Sequence, residues 1–315
     1  MHQGRNLLRT TFHKVTSDGV ARAGLSRTTG LWYTCRMKNR ILVVGALCAA
    51  AFGCLGAEVP APIEVEKGVL DPAGGHVQGF CASDDAFYLT QMRTLYKFDW
   101  TGRLLKKVPV VCHTGDICFW EGHVYTSVSV YQGPDKGKGI IQVFDADLNF
   151  VREAKLDKST DGITILDGVL YLGMGSNHVP SKEAHRENFF RRYDPKTLQP
   201  LGPRQIVDFG YMTHYGAQDI CHDGKNVLVS FYRGEKGAPA FVAFDRDMKP
   251  VKLVRGFEAS NGFDLLPRRM RGERPLYARV QTLTAPDPAK PKKKIISGCR
   301  LTYFEYADGV VKEIK

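Results

Sequence analysis

Five times in this 315-residue chain, polar or small residues stand directly ahead of an apolar position. The phrases are Gln78-Gly79-Phe80, Gly115-Asp116-Ile117, Asp161-Gly162-Ile163, Gln218-Asp219-Ile220 and Asn261-Gly262-Phe263. Three carboxylates (Asp116, Asp161, Asp219) and three amides (Gln78, Gln218, Asn261) therefore share one recurring place. Histidines stand close to it. His76 and His113 precede the apolar residue by four positions in the first two copies, and His214 lies within Tyr211–Gly216 in the fourth. Carboxylates brought together away from water are costly unless paired or bound to a cation. Oxygen ligands alone would suit Ca²⁺, and admitting the imidazoles would favour Zn²⁺ or another transition metal. In that reading Asp116, Asp161 and Asp219 are metal ligands, and His113 or His214 is a general base for hydrolysis. The alternative is a water-filled channel in which the same groups cap backbone amides.

The elements that position these residues repeat as well. After each phrase comes a turn, then a strand centred on Tyr88, Tyr125, Tyr171, Leu228 or Tyr277. An aromatic–acid doublet follows: Phe98-Asp99, Phe144-Asp145, Tyr193-Asp194, Phe244-Asp245 and Phe304-Glu305. Copies lie roughly 40 to 60 residues apart, the spacing of propellers and solenoids. Within a copy, short β-rich runs such as HVYTSVSV and GIIQVFDAD are divided by Gly, Asp and Asn joints, without helical periodicity. The pattern predicts an all-β fold, a single β-propeller of five four-stranded blades, with the doublet at a hairpin. A sixth, degenerate blade could lie in Ala61–Leu70, although that segment reads better as one strand completing the ring. The recurring tyrosines and doublets are expected to be blade core and turn formers. His185, Tyr211, Tyr215 and Tyr232 break the repeat, as do His178 and Arg186, and are the better candidates for ligand contact.

The phrases DGITILDGVLYLG and GIIQVFD resemble the NHL, YVTN and SMP-30-like propellers, over Gly79 to the C-terminus. That resemblance implies a propeller, commonly of six blades. For the calcium-dependent lactonases of the SMP-30 group it implies a Glu, Asn and Asp set on inner strands. Asn261 and Asp161 stand near such positions, and no glutamate matches.

Charge and cysteine content narrow the classes. The formal charge is +11, but residues 1–57 hold eight Lys/Arg and one acid, leaving 36 basic and 32 acidic residues beyond, a net of +4. That balance argues against nucleic acid. Local basic runs remain in PRRMRGERP (267–275) and AKPKKK (289–294), read as solvated loops of the last repeat. Residues 1–36 read as an extension outside the fold and 37–57 as a signal peptide. Met37-Lys38-Asn39-Arg40 is a basic start and Ile41–Gly53 an apolar run too short to span a bilayer comfortably. Residues 58–315 are then an exported propeller domain, periplasmic or secreted, with acylation at Cys54 as a minority alternative. Five cysteines lie beyond residue 57, and Cys81, Cys118 and Cys221 share one slot, which reads as packing rather than ligation. No nucleophile elbow, P-loop, HExxH or dinucleotide fingerprint is present. Three functions fit: binding of a small molecule, sugar or peptide at the channel mouth; metal-dependent hydrolysis of a lactone, phosphoester or glycosidic bond; or a scaffold docking a protein through the basic fifth repeat.

Overall fold

The five sequence copies become five blades of four antiparallel strands each in the computed structural model, which describes residues 36–37, 40–41, 59–174, 185–232 and 238–314. His178 and Cys54 lie outside the described residues, as does most of the proposed leader. Two short strands, β1 (Arg36–Met37) and β2 (Arg40–Ile41), pair with each other. β3 (Ile63–Glu64) follows and joins the last blade. Blade one is β4 (Gly79–Ala82), β5 (Ala86–Gln91), β6 (Thr94–Asp99) and β7 (Leu104–Pro109). Blade two is β8 (Thr114–Trp120), β9 (His123–Ser129), β10 (Gly139–Asp145) and β11 (Phe150–Leu156). Blade three is β12 (Thr160–Leu166), β13 (Val169–Met174), β14 (Asn188–Tyr193) and β15 (Gln205–Val207). Blade four is β16 (Ala217–His222), β17 (Val227–Phe231), β18 (Ala240–Phe244) and β19 (Pro250–Arg255). Blade five is β20 (Phe263–Leu265), β21 (Leu276–Asp287), β22 (Lys290–Ala307) and β23 (Val310–Ile314).

Each blade is apolar on both faces, so each must be covered by its neighbours. Five hydrophobic clusters result, one at each seam. Cys81, Tyr88 and Leu95 meet Ile117 and Phe144 between blades one and two. Phe241 and Leu228 meet Phe263 and Phe304 between blades four and five. The shared cysteine slot is buried in these seams, and no disulfide forms among Cys81, Cys112, Cys118, Cys221 and Cys299. The basic run at 267–275 includes a one-turn helix, α1 (Arg268–Arg271).

The aromatic–acid doublets end the third strand of the first four blades and shape the hairpin that follows. The carboxylate of Asp145 accepts the amides of Asp147 and Asn149 at 2.9 and 2.8 Å, and Asp245 does the same for Asp247 and Lys249 at 2.9 Å each. These are side-chain-closed turns, which Asp forms readily. In blade five the doublet lies farther from the turn, and Glu305 instead pairs with Arg274 at 2.7 Å. The central tyrosines are buried, and Tyr88 and Tyr171 donate to Ala146 and Arg246 carbonyls in the next blade's turn, at 2.9 and 3.0 Å.

Ring closure uses both ends of the propeller. β3 lies beside the middle of β22, with Ile63 opposite Leu301, so Ala61–Leu70 supplies a strand and no sixth blade exists among the described residues. The basic run at 289–294, expected to be a solvated loop, instead lies in the outer half of a long hairpin, because β21 and β22 stay paired as far as Asp287 and Lys290.

Candidate functional site

Every innermost strand starts at the same face of the ring, here termed upper, because the four strands of each blade alternate in direction. That face also gathers the connections between second and third strands. The polar positions of the five recurring phrases form two layers below it.

In the deeper layer, directly before the apolar residue, stand Gly79, Asp116, Gly162, Asp219 and Gly262. The glycines are required by approach distance. A Cβ on Gly79 would lie 2.6 Å from the Asp116 Cα, and one on Gly262 would run into the backbone of Phe80. The inner strands therefore meet almost backbone to backbone, leaving room for two side chains. Those two are Asp116 and Asp219, 1% and 0% exposed. One oxygen of Asp116 accepts the amides of Ile163 at 3.0 Å and Ile220 at 2.8 Å, reaching into blades three and four. Asp219 stands close enough to Asp116 for the two carboxyls to perturb each other, and neither of its oxygens, nor the second oxygen of Asp116, has a hydrogen-bond partner among the described residues. Burial raises both carboxyls well above the ordinary range, offset for Asp116 by the amides it accepts. Two adjacent buried carboxyls are most stable sharing a proton. Chemically, Asp116 ties blades two, three and four together at the axis.

The upper layer holds Gln78, Gly115, Asp161, Gln218 and Asn261. Gln78 is buried, and Asp161, Gln218 and Asn261 are half-buried. The Asp161 side chain makes no hydrogen bond among the described residues, and burial pushes its carboxyl up to about 7. It is near enough to Asp219 and to the Tyr131 hydroxyl to perturb both electrostatically.

Around this layer stand the histidines. His113 is half-buried and its ring meets Tyr131 edge-on at 5.2 Å. Its Nδ1 has no partner among the described residues, and burial, with His76 nearby, holds the imidazole below its ordinary value. His76 is exposed beside them, within electrostatic reach of Glu258. His214 belongs to a second group on the same face, with Tyr215 at 6.4 Å and Tyr232 a further 6.1 Å from Tyr215. His185 bridges to Thr213 through backbone bonds of 2.8 Å and its Nδ1 contacts the Glu187 carbonyl at 2.8 Å. Tyr211 is placed differently from the expectation. It is 3% exposed, its hydroxyl donates to Ala238 at 3.2 Å, and it belongs to the core between blades three and four. Among the described residues no group of three His, Cys, Asp or Glu is arranged to hold a metal ion.

Three features escape the sequence reading. Tyr131, 45% exposed, opens the connection after β9 and faces His113. Asp264 occupies the slot that holds cysteine in three other blades, and its carboxylate accepts the Ala82 amide at 3.0 Å, closing blade five onto blade one. Hydroxyls two residues after the strand centre stitch adjacent blades: Thr90 donates to Gly115 at 2.6 Å, and Ser230 accepts from Ala259 at 3.1 Å. That last signal was visible as a recurring Thr90, Ser127 and Ser230.

No protein-family model matches the sequence, and no curated protein matches it. Solved propellers resemble it in shape. A Bacteroides ovatus xyloglucan PUL GH43B protein is similar with a TM-score of 0.52 and 12% identity, covering 81% of this chain and 56% of that one. A GH43_1 enzyme from Xanthomonas citri gives 0.51 and 10%, over 79% and 94% of the two chains. A bifunctional GH43-CE protein from Bacteroides eggerthii gives 0.51 and 12%, over 80% of this chain and 36% of that one. This chain thus spans just over half and about a third of the two Bacteroides proteins. At such identities what is shared is the fold, and the chain is a five-bladed β-propeller.

Proposed function

We propose that this chain is an exported β-propeller that binds a small polar ligand, a sugar or a peptide, at the upper mouth of its ring. One observation carries the reading. Tyr131, Tyr215 and Tyr232 are 45%, 40% and 37% exposed, and all lie on the face where His76, His113, His214 and Asp161 gather. Exposed tyrosines offer a flat apolar surface with a polar tip, suited to the mixed surface of a sugar ring or peptide. They also fall outside the repeat, so the blade core does not need them. The deeper layer is filled by Asp116 and Asp219, which gives the mouth a floor. The GH43 neighbours are consistent with a saccharide, by likeness of fold alone.

The test is calorimetric titration of neutral oligosaccharides and short peptides into the chain and into its Tyr215→Ala and Tyr232→Ala variants. A tenfold or larger rise in Kd, about 1.4 kcal/mol, is expected for a bound ligand in either variant. Unchanged affinity in both would remove the mouth from consideration.

A metal-dependent hydrolase is the second reading, favoured by Asp161. Its carboxyl lacks a hydrogen bond among the described residues and is pushed up to about 7 by burial, beside Tyr131 and His113. Such a group can serve as cation ligand or as acid and base near neutral pH. Esterase, lactonase and glycosidase activity that Ca²⁺ or Zn²⁺ restores after chelation, and that Asp161→Asn abolishes, would support it. Export rests on the basic start at Met37 and the apolar run to Gly53; N-terminal sequencing of the protein recovered outside the cytoplasm should find a start near Glu58.

A further inference from the structure

The geometry points to the fifth-blade hairpin as an arm that recruits an acidic polysaccharide to the upper mouth. This inference rests on the mouth being a ligand site, and adds the chemical class of that ligand. β21 and β22 run for 12 and 18 residues, whereas the second and third strands of the other blades run for five to seven. The extra length stays paired, Thr282 opposite Cys299 and Pro286 opposite Lys294, and turns at Pro288-Ala289. A connection between second and third strands lies on the upper face, so the arm rises on the side where the tyrosines are exposed. Its root is fixed there: the Thr282 hydroxyl accepts the Val77 amide at 3.3 Å, between His76 and Gln78.

The arm carries Lys290, Lys292, Lys293 and Lys294, all exposed, and none forms an ion pair among the described residues. Asp287 is its single acid, and one of its oxygens is occupied by the Ala289 amide at 2.9 Å. Four like charges held close on one hairpin repel one another, a cost that an anionic partner would relieve. Lysine supplies hydrated point charges rather than a bidentate fork, which suits carboxylates or sulfates spaced along a flexible chain. The tip itself holds Pro288, Ala289 and Pro291 and no large apolar side chain, so it offers nothing to insert into a lipid surface. A net charge of only +4 beyond residue 57 is too weak a field for a nucleic-acid groove. Lysines on the arm and exposed tyrosines on the same face of the ring together match a polymer of charged sugar rings.

The experiment measures binding of polygalacturonate, neutral xylan, polyglutamate and phosphatidylglycerol vesicles to the chain at low and raised salt. It is repeated with Lys292→Ala/Lys293→Ala/Lys294→Ala, with the corresponding triple arginine substitution, and with Tyr215→Ala. The expected result is polygalacturonate binding at least tenfold tighter than xylan, weakened by salt. The alanine triple should lose that advantage and keep xylan binding, the arginine triple should keep both, and Tyr215→Ala should weaken both glycans. Polyglutamate bound as tightly as polygalacturonate, with no dependence on Tyr215, would reduce the arm to simple ion exchange and overturn the proposal. Vesicles bound in preference to either glycan would overturn it in favour of a membrane. Xylan and polygalacturonate bound equally, both through Tyr215, would overturn the arm's role while leaving the mouth intact. Failure to bind any glycan would overturn the mouth and the arm together.

Discussion

The hydroxyl of Tyr125, in the second strand of blade two, donates across the seam to the carbonyl of Pro195, 3.3 Å away in blade three. Pro195 directly follows the aromatic–acid doublet, as do Ala146 and Arg246, which accept from Tyr88 and Tyr171. Each of these blades thus latches onto the turn that the next blade's aspartate shapes. The fourth blade has Leu228 at this position, and the turn it would meet, in blade five, lacks the aspartate.

Removing one latch should be measurable. Tyr171→Phe removes the hydroxyl that the Arg246 carbonyl accepts and should cost about 1 kcal/mol, since a net hydrogen bond is worth roughly that. Tyr277→Phe is the control, because the Tyr277 hydroxyl is buried with no partner among the described residues. Thermal melts should show a lower Tm for the first and an unchanged or higher Tm for the second.

The axis should resist enlargement. Gly79→Ala would place a Cβ 2.6 Å from the backbone of Asp116, where no flexible side-chain end can yield. Overpacking of this kind costs about 1–3 kcal/mol, and chemical denaturation should report a loss in that range. An alanine tolerated without cost would mean that the inner strands are farther apart than the glycines indicate.

The aspartate pair should make stability depend on pH. Burial raises both carboxyls above their unfolded value near 4, so ionisation is harder in the folded chain. Such groups contribute fully at low pH, and their contribution declines as pH rises from the unfolded value toward the folded one. Asp161 and Asp264, each pushed up to about 7 by burial, act in the same direction between about pH 4 and 7. Asp219→Asn can donate its amide to Asp116 and needs no shared proton, so its Tm should fall less between pH 5 and pH 8 than that of the parent chain, in about that window. Parallel pH profiles for the two proteins would argue against a shared proton.

Blade number and strand order were legible because the repeat preserves turn chemistry, apolar spacing and the doublet in one order, from Phe80 to Glu305. The site was legible only in part. The polar residues before each innermost strand could be named, but their layer could not. Irregular pairing between Thr114 and Ile117, Thr160 and Ile163, and Ala217 and Asp219 breaks the two-residue alternation where it matters. Glycine at Gly79, Gly162 and Gly262 was the missing clue, since close approach explains it better than turn geometry. Asp264 was hidden because one repeat replaces a packing cysteine with a carboxylate. Tyr131 was hidden inside a glycine-rich joint. The basic run at 289–294 looked like a loop because lysine and proline are poor strand formers, yet pairing with β21 carries it.

Blade five departs from the common plan more than any other. It lacks the aspartate turn, receives no tyrosine latch from blade four, and gives none from Tyr277, while β3 and Asp264 anchor it by separate means. It is therefore the variable panel in a ring of standard parts. The other four can keep their shared architecture while this one changes its length and charge, and the stretch between Thr282 and Cys299 is where a different hairpin can be grafted without touching the shared parts.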